Sequence, residues 1–356
     1  MERVVVGMSG GVDSSVAAFL LKKAGYECIG ATMRLYDSST EESTCCSLYD
    51  VEDARDVASR LGIRHYVFNF KDDFDRQVIK KFVSCYEQGL TPNPCIDCNR
   101  YLKFGRLLHR AMELDCQWVA SGHYARIQKD PATGRNLLYK AADKAKDQSY
   151  FLACLTQRQL AHIRFPLGEL TKIQVREIAQ DNGFVNARKR DSQDICFVPD
   201  GDYGAFLQRY TEKAYPTGDF LNLQGAVVGH HRGAACYTLG QRKGLGLAMG
   251  APVYVCAKDM ERNTVTVGPN DALFSSALRA GDWNWFPFSA LTAPMAVTVK
   301  TRHSQFEQPG KVYPEENGFA RVEFENRQRA VTPGQAVVLY DGDLVVGGGT
   351  ITAALP

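Results

Sequence analysis

Two cysteine arrangements and one glycine–serine turn hold the residues of this chain that could do chemistry. The first is Thr91-Pro92-Asn93-Pro94-Cys95-Ile96-Asp97-Cys98-Asn99. The two prolines stiffen the approach and take the chain out of helix. A Cys-x-x-Cys placed just before the next helix faces free N–H groups, which favour the reactive thiolate. A zinc knuckle needs two more ligands at comparable spacing, and no second Cys-x-x-Cys exists. The second arrangement is Asp191-Ser192-Gln193-Asp194-Ile195-Cys196-Phe197, a lone cysteine in a polar-then-apolar loop. By itself Cys196 reads as a buried structural thiol. The third is Gly7-Met8-Ser9-Gly10-Gly11-Val12-Asp13-Ser14-Ser15. Gly10 and Gly11 allow positive φ and close approach of backbone to a ligand. Hydroxyls and N–H groups at a helix N-terminus make an anion site, most often for phosphate. An ordinary β–α turn is the bland alternative, which two adjacent glycines among three serines disfavour. It is not a Walker A loop, because no Gly-Lys-Ser/Thr follows, and it is not Gly-x-Gly-x-x-Gly.

The elements that must position these residues follow from periodicity. Val4-Val5-Val6 enters the turn as a strand, and Val16 to Leu21 leaves it as a helix. Residues 27–35 predict a second strand with Met33 near its end. Residues 37–47 are polar and predict a mobile loop, in which the adjacent Cys45-Cys46 read as structural or incidental. Helices are predicted over residues 49–61, 72–88 and 100–112, and strands over 64–70 and 118–120, the latter ending in Ser121-Gly122-His123-Tyr124. This alternation to about residue 200 predicts an α/β domain with a doubly wound parallel sheet. In such sheets ligands bind outside the carboxyl ends of the strands, so one cleft could collect the turn, Met33 and Ser121-Gly122-His123. Beyond residue 200 a short helix, 203–210, precedes Gly-rich strands at 218–221, 227–230 and 253–257. From residue 277 the pattern is β, with strands at 295–301, 318–324, 336–340 and 344–352 and turn signals between them. That predicts a small mixed central domain and a C-terminal β-barrel, with divisions at residues 1–200, 201–273 and 274–356.

At 356 residues the chain has room for two or three domains. The net charge of +2 announces no nucleic acid partner, but residues 101–190 hold sixteen Lys/Arg against eight Asp/Glu. That local excess fits an RNA-binding surface or a solvated face equally. The N-terminus enters a strand without a signal-peptide pattern, and no apolar run is long enough to span a bilayer, so the chain reads as cytosolic with no membrane partner. Eleven cysteines in that compartment read as buried, catalytic or metal-binding.

The turn resembles the Ser-Gly-Gly-x-Asp-Ser signature of the PP-loop ATP pyrophosphatases, which grip the pyrophosphate end of ATP and adenylate a carbonyl oxygen. Further segments narrow the resemblance. Thr91–Asn99, Ser121–Ala125, Lys146–Leu152, Asp191-Ser192 with Ile195–Phe197, and Tyr237-Thr238-Leu239-Gly240-Gln241-Arg242 come in the order seen in the bacterial tRNA-specific 2-thiouridylases. The match runs from residue 5 to about 248 and continues more weakly through Arg302-His303 and Pro333-Gly334-Gln335. The resemblance implies that Gly7, Met8, Ser9, Gly10, Gly11, Val12, Asp13, Ser14 and Met33 hold ATP, with Gly122 near the nucleotide. Asn93, Pro94 and Cys95 would lie against the target uridine. Cys98 would be the catalytic nucleophile and Cys196 the persulfide carrier. Lys146, Asp147, Gln148, Arg302 and His303 would touch tRNA, with His123 and Gln335 as further contacts.

The implied reaction is ATP-dependent 2-thiolation of the wobble uridine in the anticodon loop. Adenylation, with Mg²⁺ and backbone donors on the pyrophosphate, turns the C2 oxygen into a leaving group. Sulfur from Cys196 replaces it and leaves a Cys98–Cys196 disulfide to be reduced. Asp13 would either help bind Mg²⁺ or cap the helix. An upstream persulfide relay protein or cysteine desulfurase would supply the sulfur. Many members of the family carry Asp where this chain has Cys95. Cys95, Cys98 and Cys196 would then be able to ligate a [4Fe–4S] cluster, as an alternative to the simple persulfide route. Two other readings stay open: a PP-loop amidase or ligase, and a non-enzymatic RNA-binding protein with a metal at Cys95 and Cys98.

Overall fold

The structure, a computed structural model, describes residues 1–36, 48–189 and 195–356. Cys45, Cys46 and the Asp191–Asp194 stretch lie outside the described residues. The first strands in chain order are β1 (Arg3–Gly7), β2 (Glu27–Arg34), β3 (Arg64–Asn69), β4 (Trp118–Ala120), β5 (Ala125–Lys129), β6 (Asn136–Lys140) and β7 (Ile163–Arg164). Five of them form a parallel sheet in the order β3-β2-β1-β4-β7. Side chains alternate across a strand, so the valine run of β1 supplies both faces. Val4 and Val6 pack with the helices Val12–Lys23, Leu48–Arg60 and Lys172–Asp181. Val5 packs on the other side with Phe74, Phe82, Leu102 and Phe104. The sheet is doubly wound, as its periodicity predicts.

One helix departs from expectation. It begins at Pro94, not after the cysteines, and runs through α, π and α turns to Glu113. Proline is favoured in the first turn, where its missing N–H costs nothing and its φ already suits the helix. Pro94 therefore opens the helix. Cys95 sits in its first turn, and Cys98 begins the π-helical stretch Cys98–Arg106. The helical segment Lys71–Glu87 likewise holds a π stretch, at Asp75–Ile79.

The alternation also hides a hairpin. β5 and β6 leave the parallel sheet and join the C-terminal strands, with Tyr139 opposite Leu344 and the Lys140 N–H on the Asp343 carbonyl at 2.9 Å. The central sheet comprises β8 (Gly218–Leu221), β9 (Val227–His231), β10 (Tyr254–Asp259) and β11 (Thr264–Gly268), in the order β10-β11-β8-β9. The last strands are β12 (Phe274–Trp285), β13 (Met295–Lys300), β14 (Gln308–Pro314), β15 (Ala320–Arg329), β16 (Ala336–Asp341) and β17 (Leu344–Leu355). They run antiparallel in the order β12-β15-β14-β13-β16-β17, and pairing of β12 with β17 closes a six-stranded barrel. β14 escapes the periodicity because Pro309 and Gly310 interrupt its pattern. No helix of the described residues is long and apolar enough to cross a membrane.

Candidate active site

β1 lies between β2 and β4, and the chain moves to one side of it for β2 and β3 and to the other for β4 and β7. The crevice between the carboxyl ends of β1 and β4 is therefore the switch point of the sheet, where a ligand is expected. The Gly7–Ser14 turn and Gly122 meet there. A Cβ on Gly122 would stand 2.6 Å from the Asp13 carbonyl carbon and 2.7 Å from the Ser14 nitrogen. Only glycine lets the two backbones come so close. The turn is built by its own hydrogen bonds. Met8 donates to Ala31 at 2.8 Å, and Thr32 Oγ1 donates to the Met8 carbonyl at 2.7 Å, which ties the turn to β2. Ser9 N–H donates to Ser14 Oγ at 3.2 Å, and Ser14 and Ser15 Oγ donate to the Gly11 carbonyl at 3.0 and 3.1 Å. Only Gly10 uses the left-handed region, at φ +72, where a Cβ would fall 2.3 Å from the Asp50 carbonyl oxygen. Gly11 is extended and caps the helix that Val12 opens. Met33 is half-buried near the end of β2, next to the turn.

Asp13 is not the helix cap; that position belongs to Gly11. Its carboxylate receives the Lys172 ammonium at 2.7 and 2.8 Å and the Tyr124 hydroxyl at 2.8 Å. These contacts tie the turn to the Lys172–Asp181 helix. Lys172 is buried, and sequence periodicity gives no sign of its role.

The two candidate thiols share one apolar cluster on one face of the sheet. Cys98 is buried in it and Cys196 packs against it. Phe197 anchors Cys196, edge-on to Phe74 at 5.7 Å and to Phe82 at 5.2 Å. Tyr36, just past β2, donates its hydroxyl to the Cys196 carbonyl. Cys98 is fixed through its neighbours. Asp97 accepts from Lys81 at 2.7 Å, and Asn99 donates to the Phe151 carbonyl at 3.1 Å. Burial raises the Asp97 carboxyl while Lys81 opposes it. Cys154, whose Sγ lies 3.5 Å from the Ile96 carbonyl oxygen, is pushed up to about 12 by burial and is a structural thiol. Cys95 is exposed one turn before Cys98.

The residues expected to touch tRNA mostly join parts of the protein to one another. Gln335 donates to the Thr91 and Pro92 carbonyls at 3.0 and 3.2 Å. It braces the segment that leads to Asn93 and Pro94. Arg302 donates to the Leu239 and Ala330 carbonyls and to Thr332 Oγ1, at 3.1, 3.3 and 2.7 Å. His303 stacks on Phe151 at 4.4 Å and remains exposed. Gln148 exchanges hydrogen bonds with the Tyr124 backbone, and Asp147 accepts from Ala141 and Ser149. His123 lies between Phe104 and Phe165, bonds Ser121 at 2.7 Å, and is held well below the usual imidazole range, first by burial and then by Lys103. Lys146 is half-buried and its backbone N–H donates to Asp143. Part of the basic excess of residues 101–190 is similarly engaged. Arg126 and Lys144 pair with Asp343 at 2.8 and 2.5 Å, and Lys140 with Glu307 at 2.6 Å.

Among the described residues no group of three or more His, Cys, Asp or Glu side chains could hold a metal ion. Cys95, Cys98 and Cys196 do not form such a group in this arrangement.

A doubly wound sheet with a glycine–serine turn at its switch point, followed by a small β-sheet module and a closed barrel, defines a three-part α/β protein of the PP-loop class. Three family profiles match it in sequence: a "tRNA methyl transferase HUP domain" over residues 2–200, a "tRNA methyl transferase PRC-barrel domain" over 204–269, and an "aminomethyltransferase beta-barrel domain" over 275–351. The chain is 50% identical over 355 residues to a tRNA-specific 2-thiouridylase MnmA of Acetivibrio thermocellus, covering 98% of this chain and 99% of that one. It is 52% identical to the protein of the same name from Symbiobacterium thermophilum, covering 99% and 93%. It therefore belongs to the tRNA-specific 2-thiouridylase family. Among solved structures, a 4-thiouridine synthetase–RNA complex with bound ATP aligns at a TM-score of 0.36 and 17% identity, over 55% of this chain and 44% of that one.

Proposed function

We propose that this chain catalyses ATP-dependent 2-thiolation of uridine in tRNA, at the wobble position of the anticodon loop. The observation that carries the reading is full-length similarity at about half identity to the 2-thiouridylases. Supporting it, the anion-binding turn stands at the sheet's switch point and two thiols share the apolar cluster on one of its faces.

In this reading the turn binds the pyrophosphate end of ATP through the first N–H groups of the Val12–Lys23 helix. The uridine C2 oxygen attacks the α-phosphorus and pyrophosphate leaves. Mg²⁺ bound with the nucleotide would neutralise charge on the leaving pyrophosphate, and Asp13, held by Lys172 and Tyr124, borders the turn. A persulfide on Cys196 supplies sulfur to C2, and AMP departs with the former C2 oxygen. The Cys98 thiolate takes the remaining Cys196 sulfur as a disulfide, which an external thiol reduces. Asn93, Pro94 and Cys95 line the target base, and the central and barrel modules, divided near residues 200 and 273, take up the rest of the tRNA. A persulfide relay protein or desulfurase charges Cys196.

The test is nucleoside mass spectrometry of tRNA incubated with the protein, ATP, Mg²⁺ and a persulfide donor. 2-Thiouridine is expected at position 34, with AMP and pyrophosphate released. Product forming equally well with Cys196→Ser would overturn the carrier assignment, and absence of 2-thiouridine with the unaltered protein would overturn the reading.

A further inference from the structure

Asn186 is almost fully buried at 2% exposure, on the segment that follows the Lys172–Asp181 helix. Its Nδ2 donates to the Gly10 carbonyl at 3.0 Å and to Ser15 Oγ at 2.9 Å. Ser15 Oγ passes the interaction on to the Gly11 carbonyl at 3.1 Å. Both carbonyls of the Gly10-Gly11 pair are thus gathered, directly or through Ser15, by one amide. The backbone that carries it is fixed in turn. Lys189 N–H donates to the Asn186 carbonyl at 3.0 Å, and Arg176 donates to the Ala187 and Lys189 carbonyls at 3.1 and 3.2 Å. Lys189 reaches Asp50 at 2.7 Å, and it is the Asp50 backbone that packs against Gly10. The Asn186 Oδ1 has no hydrogen-bond partner among the described residues. A buried amide kept with one unmet acceptor is held for what its donors do.

A trans peptide sends its C=O and its N–H in opposite directions. With the Gly10 and Gly11 carbonyls drawn toward Asn186 and Ser15, the N–H groups of Gly11 and Val12 point the other way. Glycine pairs flip a peptide at little steric cost. A flip here would offer an anion carbonyl oxygen in place of a donor. We propose that Asn186 is a positioning residue for the nucleotide site: it locks the Gly10–Gly11 peptide so that N–H groups meet the phosphates. This rests on the reading of the turn as a pyrophosphate cradle.

The experiment compares the full chain with Asn186→Asp, close in shape but unable to donate when ionised, and Asn186→Ala. Calorimetry without tRNA measures binding of inorganic pyrophosphate, ATP and AMP, beside the thermal midpoint. Steady-state pyrophosphate release with tRNA gives KM for ATP and kcat. Pyrophosphate and ATP are expected to bind about tenfold or more weakly, the scale of one or two lost buried hydrogen bonds. AMP affinity and kcat at saturating ATP should stay within about threefold, because neither depends on the cradle's ground-state grip. Unchanged pyrophosphate binding in folded Asn186→Asp overturns the proposal. So does a fall in AMP affinity and thermal midpoint in step with pyrophosphate, which marks a merely structural role. If neither variant folds, Ser15→Ala removes the relay to Gly11 and should weaken pyrophosphate several-fold; no change there overturns the proposal as well. Failure of the cradle reading itself would look different, since the unaltered protein would then bind neither ATP nor pyrophosphate.

Discussion

Cys98 and Cys196 reach one apolar cluster from positions about a hundred residues apart, and they are held in different ways. Helix geometry and the Lys81–Asp97 pair fix Cys98, whereas an aromatic anchor and the Tyr36 hydroxyl fix Cys196. Serine at either position should lower 2-thiouridine formation at least about a hundredfold, the scale of a lost nucleophile, while adenylation continues. Mass spectrometry of the nucleoside beside a pyrophosphate-release assay separates the two steps. Differential alkylation at pH 8 should label exposed Cys95 and leave Cys154 untouched, because burial pushes that thiol up to about 12. Peptide mapping that finds Cys154 modified in native protein would contradict its structural assignment. Cys98 and Cys196 stood out in sequence only through a resemblance that their neighbours carry, and the structure brings both to one cluster. Asn186, Lys172 and Tyr36 did not stand out, since each owes its role to a partner more than a hundred and fifty residues away, which no local pattern encodes.

Elements position the site where side chains cannot. The close approach of Gly122 to the Asp13–Ser14 backbone fixes the distance between the ends of β1 and β4. Gly122→Ala should force that crevice open, costing about 1–3 kcal/mol of stability, as overpacking does, and weakening ATP binding with it. Thermal unfolding and calorimetry together check this. Gln335 acts on the other side of the site, where it braces Thr91 and Pro92 from the barrel. Gln335→Ala should slow thiolation and leave pyrophosphate binding unchanged; weaker pyrophosphate binding would place Gln335 elsewhere in the mechanism. The strand-turn-helix unit was readable from its apolar runs. The start of the Cys98 helix was misread because a proline that usually ends a helix here begins one.

At the scale of the molecule, a half-buried charge sits where two parts meet. Lys258 of the central sheet donates to the Tyr237 carbonyl at 2.8 Å and lies 5.8 Å from the Tyr86 ring centroid, and burial lowers its ammonium to about 8. The unfolded chain holds that proton to a higher pH. Stability should therefore carry the full cost of the buried charge below about pH 8 and recover it as pH rises toward the ordinary lysine range. The thermal midpoint of the unaltered protein, measured against Lys258→Met, should rise between those limits; a constant difference would deny the shift. Sequence foretold the order of sheet, small module and barrel, because alternation and turn residues are local. It concealed where β5 and β6 belong.

That hairpin has a consequence for the chain as it is made. β6 is complete at Lys140, but its partners Gly342, Asp343 and Leu344 are synthesised some two hundred residues later. At about 5–20 residues per second, the ribosome leaves that strand edge uncovered for roughly ten to forty seconds. An open edge invites pairing with another chain. The nascent N-terminal part must wait for its last strand, so a chain released before Leu344 should aggregate even though its glycine–serine turn, Cys98 and Cys196 are already present.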